Sequence, residues 1–438
     1  MREKPDIVAM KPAAGLAPCR RIFTAGLFAA AMIVGPAALT GRARAFASVP
    51  WRGCDLDLSQ SAFRGPADWD RVYVENWGPI GRQSPEQIHA VVHAVDGIYD
   101  DSDAPFAWIV HYWIRAWVTM ANLTGDAKYM DMCVSFIDYM LDNTDAHRVA
   151  RGEMKENYIR DPLYLKGTGR GGPFWSRERS ANVLDTGQVV RGIMAFVDSV
   201  FENHDRWRSY GPTAFRYFEA AIIAADAFDN DWQINAGMGS YHYRDSSGSG
   251  DLGTTPTAFN QSATMVTAQL LIHKWRSDPK RADKVRRLAQ YWIERYAVRQ
   301  SDGALSWRYI LIPGDTSIED AGHGAIDLDF LVPAYRSGLT KLTLGHMNGL
   351  AKTFTHRLHD GGDSLNRFVD GRTESGFSDN FNAGFGWFEL AEFAPEIATA
   401  ALGVYNRHYP PDAPGGVLWA QPMLGWANLL AAGRPCRS

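Results

Sequence analysis

The chain has 438 residues, of which 46% are hydrophobic and 21% charged, and a formal net charge of −4. This composition excludes a disordered or coiled-coil protein and supplies a substantial core for one large domain or two smaller ones. The slightly acidic balance leaves no basic excess for binding nucleic acid.

Taken from the N-terminus, the first feature is the apolar run AGLFAAAMIVGPAAL, Ala25 to Leu39. It is shorter than the roughly 20 residues of a membrane span. It contains Pro36 and is followed by the small-residue sequence Ala45-Phe46-Ala47, so residues 1–47 read as a cleavable export signal. Arg20-Arg21-Ile22-Phe23 resembles the twin-arginine export motif, flanked here by Cys19 and Thr24, with ordinary Sec export as the alternative. Removing seven basic and two acidic residues with the signal takes the formal charge from −4 to −9. A mature chain this acidic is expected in the periplasm or outside the cell, with neither nucleic acid nor an anionic membrane as partner. Cys54 and Cys436, near opposite termini, are the pair that an oxidising compartment would join, whereas Cys133 in YMDMCVSFIDYML reads as a small buried hydrophobe.

Residues 48–104 form an N-terminal segment expected to pack on the main domain; VYVENWGPI is a strand or a loop and SPEQIHAVVHAV a helix. From residue 105 to residue 438 one theme recurs, an aromatic-rich apolar helix, a turn, and an amphipathic helix. The pairs are AWIVHYWIRAWVTMANLTG with DAKYMDMCVSFIDYMLDN, TGQVVRGIMAFVDSVFENH with PTAFRYFEAAIIAADAF, and QSATMVTAQLLIHKWRS with PKRADKVRRLAQYWIERYA. GAIDLDFLVPAYRSG with LGHMNGLAKTFTHRLHD and GFGWFELAEFA with PEIATAALGVYNRHY follow, and PMLGWANLLAAG closes the chain. First members that are apolar nearly all round predict inner helices, and second members with a charged face predict outer ones. The expected fold is all-α, an incomplete (α/α) toroid of five to six helical hairpins, with long loops lining one end.

Those loops all precede inner helices, and side chains on loops held by a rigid scaffold are where binding concentrates. They supply Trp175, Arg177, Tyr241, His242, Tyr243, Arg244, Trp307 and Arg308 as substrate contacts, joined by Asp327 in the fourth inner helix and by Trp387, which opens the fifth. Aromatic faces stack on sugar rings and arginine forks pair with carboxylates or sulfates, so the cleft suits a polysaccharide or oligosaccharide, an acidic one above all.

Chemistry concentrates in WRYILIPGDTSIEDAGHGAIDLDF, residues 307–330. Asp320, His323 and Asp327 share one helical face if the helix begins near Asp320; if it begins at Gly324, Glu319, Asp320 and His323 sit at its positive end. Either way His323 has carboxylates to orient its ring, as a general base requires, while the plainer reading makes Asp320 a helix cap. Carboxylates with one histidine are a weak zinc or calcium pattern, and neither a metal nor another cofactor is expected. Asn260 in AFNQSA and Asp185 in LDTGQ are catalytic candidates or N-caps, and Tyr309 is a candidate acid.

The succession FNQSA, W-x-Y and IEDAGHGAID resembles the (α/α)-toroid polysaccharide lyases and glycosidases, and His323-Gly324 with Asp327 echoes an H-G-x-x-D segment of alginate-lyase-like enzymes. The likeness of helix pairs covers residues 105–432 and that of motifs about 30 residues. Carried over, it implies that Asn260 neutralises a uronate carboxylate, His323 takes the C5 proton and Tyr309 protonates the departing oxygen. Where alginate lyases carry Asn-Asn-His, this chain has Asp320-Ala321-Gly322-His323. LDTGQ is similar to the aspartate-bearing segment of unsaturated-uronyl hydrolases, which implies hydrolysis with a pair drawn from Glu319, Asp320, Asp185 and Asp327. A glycan-binding protein without catalysis is the third reading.

Overall fold

A computed structural model describes residues 55–75, 106–151, 176–177, 180–181, 183–244, 252–359, 361–374, 380–411 and 420–434, all within the compact unit Ala43–Ser438. The export signal, the Cys54 and Cys436 pair, Trp175 and the helix expected over SPEQIHAVVHAV lie outside the described residues.

The helices in chain order are α1 (Pro66–Asp70), α2 (His111–Thr124), α3 (Lys128–Asp142), α4 (Asp145–Ala150), α5 (Val183–Glu202) and α6 (Gly211–Asp226). They continue with α7 (Phe259–Trp275), α8 (Pro279–Tyr291), α9 (Ala321–Arg336), α10 (Leu344–Thr353), α11 (Glu396–His408) and α12 (Ala420–Ala432). Their ends follow ordinary capping chemistry. Gly125 leaves α2 at φ 80 with its N–H on the Ala121 carbonyl, and Asp278 caps α8 by accepting the Lys280 N–H at 2.8 Å ahead of Pro279.

Burial separates the two classes of helix as expected. In α5 nearly every residue from Val183 to Val200 is buried, whereas α8 buries one stripe that includes Val285, Leu288 and Ala289. The inner elements pack in sequence, α2 on α5, α5 on α7, α7 on α9, α9 on the 3₁₀ turns Asn380–Gly384 and Gly386–Glu392, those turns on α12, and α12 back on α2. Among the described residues the ring is made of six inner elements, in line with the expected toroid of five to six hairpins. The outer helices α3, α6, α8 and α11 back α2, α5, α7 and the 3₁₀ turns. Behind α12 lies the N-terminal segment, where the Phe63 ring packs tilted at 4.5 Å from Trp426 and Trp69 donates to the Met423 carbonyl at 3.2 Å.

The fifth inner element departs from the expected helix. GFGWFELAEFA forms 3₁₀ turns because Gly386 stands at φ +48, and a Cβ there would lie 2.4 Å from the Ala325 carbonyl oxygen. Backbone-to-backbone contact with α9 breaks the helix at a residue only glycine can occupy. Arg71–Glu75, at the start of the possible strand VYVENWGPI, is a helical turn instead. Among the described residues short strands occur only at the loops: β1 (Ser176–Arg177) with β2 (Ser180–Ala181), β3 (Trp232–Asn235) with β4 (Met238–Arg244) and β5 (Leu252–Pro256), and β6 (Val298–Arg299) with β7 (Leu305–Ser306). No helix among the described residues is long and apolar enough to cross a membrane.

Candidate active site

The segment before α9 is a braced ladder rather than a slack loop. Tyr309 N–H donates to the Ser317 carbonyl and Glu319 N–H to that of Trp307, at 3.1 and 3.0 Å, so the segment folds back on itself around Pro313-Gly314. On the other edge the Ala321 N–H donates to Arg367 and the Val369 N–H to Glu319, at 2.7 and 3.0 Å. Held from both sides, residues 319–321 enter α9 in a set direction.

Asp320 is the N-cap of α9 and does two things with its carboxylate. Oδ1 accepts the His323 backbone N–H at 2.8 Å, and Oδ2 lies 2.7 Å from His323 Nδ1. The cap and the histidine are three residues apart because one helical turn brings the ring back over its own N-cap. Both contacts favour the charged carboxylate and, despite burial, hold Asp320 below its ordinary pKa. The cap and the contact with the imidazole are thus made by two oxygens of one side chain.

Behind this dyad, Glu319 and Asp327 form a second and different pair, both 0% exposed. Burial raises both carboxyls; Glu319 rises well above its ordinary range, with the neighbouring Asp327 and Asp320 charges adding to it. Asp327 is pushed up to about 8 by burial, opposed by hydrogen bonds from Trp307 and Glu319. Trp307 Nε1 donates to Asp327 Oδ2 at 2.7 Å, and Glu319 Oε1 accepts the Asp320 N–H at 3.1 Å. Burial therefore favours the protonated form of both carboxyls in the neutral range.

Facing the dyad, the Tyr309 ring centroid is 5.0 Å from that of His323. Burial and the nearby Tyr243, Glu319, Asp320 and Asp327 push the Tyr309 hydroxyl up to about 12, so it carries its proton at neutral pH. Tyr243 is exposed on β4. His323 is 37% exposed, so the dyad meets solvent at this mouth.

The remaining candidates divide. Asp185 is the third residue of α5, Asn260 the second of α7 and His323 the third of α9, which sets them at one end of the ring. Asn260 is not a cap, since Ala258 holds that position; its amide is buried and has no hydrogen-bond partner among the described residues. His242 is half-buried on β4, and the exposed Arg308 donates within its own loop to the Asp315 carbonyl at 3.3 Å. Arg177 and Arg244 lie on β1 and β4.

Four side chains expected to touch substrate do not. Tyr241 is buried with its hydroxyl on Gln269 Nε2 at 2.9 Å and Lys284 Nζ at 3.3 Å, and the register shift of β4 between His242 and Arg244 separates it from the exposed Tyr243 two residues on. Trp307 is buried as the donor to Asp327, and Trp387 packs 6.1 Å from it while donating to the Ala321 carbonyl at 2.8 Å. Asp327 is the buried acceptor of that first bond and faces no ligand. The two indoles close over Gly324, where a Cβ would lie 2.9 Å from Trp387, so they clamp α9 rather than stack on sugars.

Glu319, Asp320 and His323 offer ligand atoms within 4.8 Å of one another and could meet a metal ion. Asp320 is already engaged by His323 through both oxygens and Glu319 retains its proton, so these residues fit proton transfer better than cation binding. Sequence reasoning passed over Arg115, Arg191 and Asp329, although a charged residue inside an otherwise apolar inner helix was a visible signal.

No protein-family model and no curated protein matches the chain. Among solved structures it is similar to cellobiose 2-epimerase from Spirochaeta thermophila, at 14% identity and TM-score 0.43, over 80% of this chain and 96% of that one. It is similar to unsaturated glucuronyl hydrolase from Bacillus sp. GL1 at 14% identity and TM-score 0.42, over 68% and 72%. A polysaccharide lyase matches at 11% identity and TM-score 0.33, over 74% and 98%.

Proposed function

We propose that the protein is an exported carbohydrate-active enzyme that cleaves a uronic-acid-containing glycan by β-elimination. The observation that carries this reading is the His323 Nδ1 to Asp320 Oδ2 contact of 2.7 Å with the Tyr309 ring beside the imidazole. A carboxylate acceptor on Nδ1 selects the tautomer with its proton there, which makes Nε2 the basic nitrogen. Nε2 takes the proton from C5 of the uronate. The electron pair left behind forms the C4–C5 double bond as the C4–O bond breaks, and the departing oxygen takes the Tyr309 proton. His323 then releases its proton to water and Tyr309 regains one.

Hydrolysis by paired carboxyl groups is less well supported. Glu319 and Asp327 are fully enclosed and Asp320 is held by His323, so these three do not flank a space that a glycosidic oxygen could enter. Incubating the protein with uronate-containing and neutral glycans, while following ultraviolet absorbance and reducing ends together, tests the proposal. Elimination gives both signals on uronates. Reducing ends without absorbance would establish hydrolysis, and binding with neither signal a glycan receptor. His323→Ala is expected to abolish cleavage with the helical circular dichroism unchanged.

A further inference from the structure

Three inner helices meet at the ring axis in a charged cluster. Asp329, the ninth residue of α9, accepts Arg115 of α2 bidentately, Nη1 to Oδ2 at 3.1 Å and Nη2 to Oδ1 at 3.2 Å. Its Oδ2 also accepts Nη1 of Arg191, the ninth residue of α5. In the packing order α9 neighbours neither α2 nor α5, so Asp329 reaches across the ring rather than along its wall. Thr267, the ninth residue of α7, donates to the Asp329 carbonyl at 3.4 Å, which sets all these groups at one depth.

The cluster is not neutral. Two guanidinium groups face one carboxylate, an excess of one positive charge among side chains only 13%, 9% and 3% exposed for Arg115, Arg191 and Asp329. His111, one turn before Arg115, is buried and driven towards its neutral form by burial and by both arginines, so it supplies no counter-charge. Tyr112 is buried against the same group with its pKa raised, so it stays neutral as well. An uncompensated charge in such a place is unfavourable unless an anion completes it. Arg191 spends one N–H on Asp329 and no other acceptor takes its remaining donors among the described residues.

We infer that Arg115 and Arg191 form an anion-binding floor of the toroid, which receives a carboxylate or sulfate borne by the glycan. The floor lies about 9 Å below His323, six residues further along α9 at about 1.5 Å each. Asp329 holds both guanidinium groups in place and its single charge keeps them from being satisfied without a ligand. This inference deepens the proposed function by assigning the acidic group of the substrate to named residues, yet anion binding does not depend on the elimination chemistry.

The test is calorimetric titration of the whole protein at low ionic strength with sodium glucuronate, sodium sulfate and glucose. Glucuronate is expected to bind and glucose not, and sulfate binding distinguishes a floor that takes any compact anion from one that also needs the sugar. Arg191→Gln and Arg115→Lys are each expected to weaken glucuronate at least about tenfold, the loss of a charge-assisted contact, whereas Arg276→Gln on the outer surface leaves it unchanged. If neither anion binds the unaltered protein, or if either floor variant folds and binds glucuronate as tightly, the inference is overturned. Glucuronate binding without cleavage of any uronate glycan would retain the floor and refute elimination; cleavage without glucuronate or sulfate binding would do the reverse.

Discussion

Replacing Asp320 with Asn isolates the orientation of His323 from every other role of that side chain. Asparagine caps helices about as well as aspartate, so the amide oxygen can keep accepting the His323 backbone N–H and the cap is lost by only a few tenths of a kcal/mol. What changes is the atom facing Nδ1, now an amide nitrogen 2.7 Å away that donates instead of accepting. The ring must then place its proton on Nε2 and the base is lost. The charge-assisted contact is worth about 1.5–3 kcal/mol when enclosed, and with His323 37% exposed we expect about 1 kcal/mol of stability to go with it. The rate should fall far more, by roughly 10²–10⁴, as an inverted tautomer removes general-base catalysis. Steady-state cleavage of a uronate glycan and thermal melts on the same samples measure the two effects. The pH dependence supplies a further sign. Because Asp320 sits below its ordinary pKa in the folded protein, its contribution to stability is present above the unfolded value and is lost as pH falls through the folded one. Asp320→Asn should therefore flatten the acid limb of the Tm curve. Cleavage within a few-fold of the unaltered protein, with a matching melt, would refute the orientation argument.

Tyr309→Phe keeps the ring beside His323 and removes only the hydroxyl, so cleavage should drop by about 10²–10⁴ with little change in Tm, and equal loss of cleavage and stability would count against an acid role. Asp327→Asn leaves an acceptor for the Trp307 indole and removes the buried charge. With the folded pKa raised from 3.8 to about 8, the contribution of Asp327 is fully present below the unfolded value and declines until pH passes the folded one. The variant should melt higher than the parent above pH 8, by at least about 1 kcal/mol, with the two curves converging in acid; parallel curves would mean that Asp327 is not held protonated. Gly386→Ala should destabilise by about 2–4 kcal/mol in denaturant titrations, since it adds an unfavourable φ to a 2.4 Å approach to the Ala325 carbonyl, and an unchanged midpoint would show that the turn has room to shift.

Much of the fold was legible in the sequence because helical periodicity is local. The apolar faces of α2, α5, α7 and α9 and the charged faces of their partners could be assigned from residues within each segment. The fifth inner element could not, because its 3₁₀ form comes from Gly386 meeting α9, some sixty residues earlier in the chain. The site was half legible. Glu319, Asp320 and His323 stood out by spacing, and the structure separates them into a dyad at the mouth and a carboxyl pair behind it.

The sequence by itself determined an all-helical ring of hairpins, the loops at the heads of the inner helices, and WRYILIPGDTSIEDAGHGAIDLDF as the segment where acids and a histidine converge. Tertiary structure alone decided which aromatic rings stay inside. Trp307, Trp387 and Tyr241 carry hydrogen-bonding groups that suit a sugar or an interior partner equally well, and only the positions of Asp327, Ala321 and Gln269 settle the choice. It also decided that Arg115, Arg191 and Asp329 meet, since three charged residues far apart in sequence become one site only when their helices face a common axis. Periodicity reports which side of a helix is turned inward; the partner waiting there is a property of the closed ring.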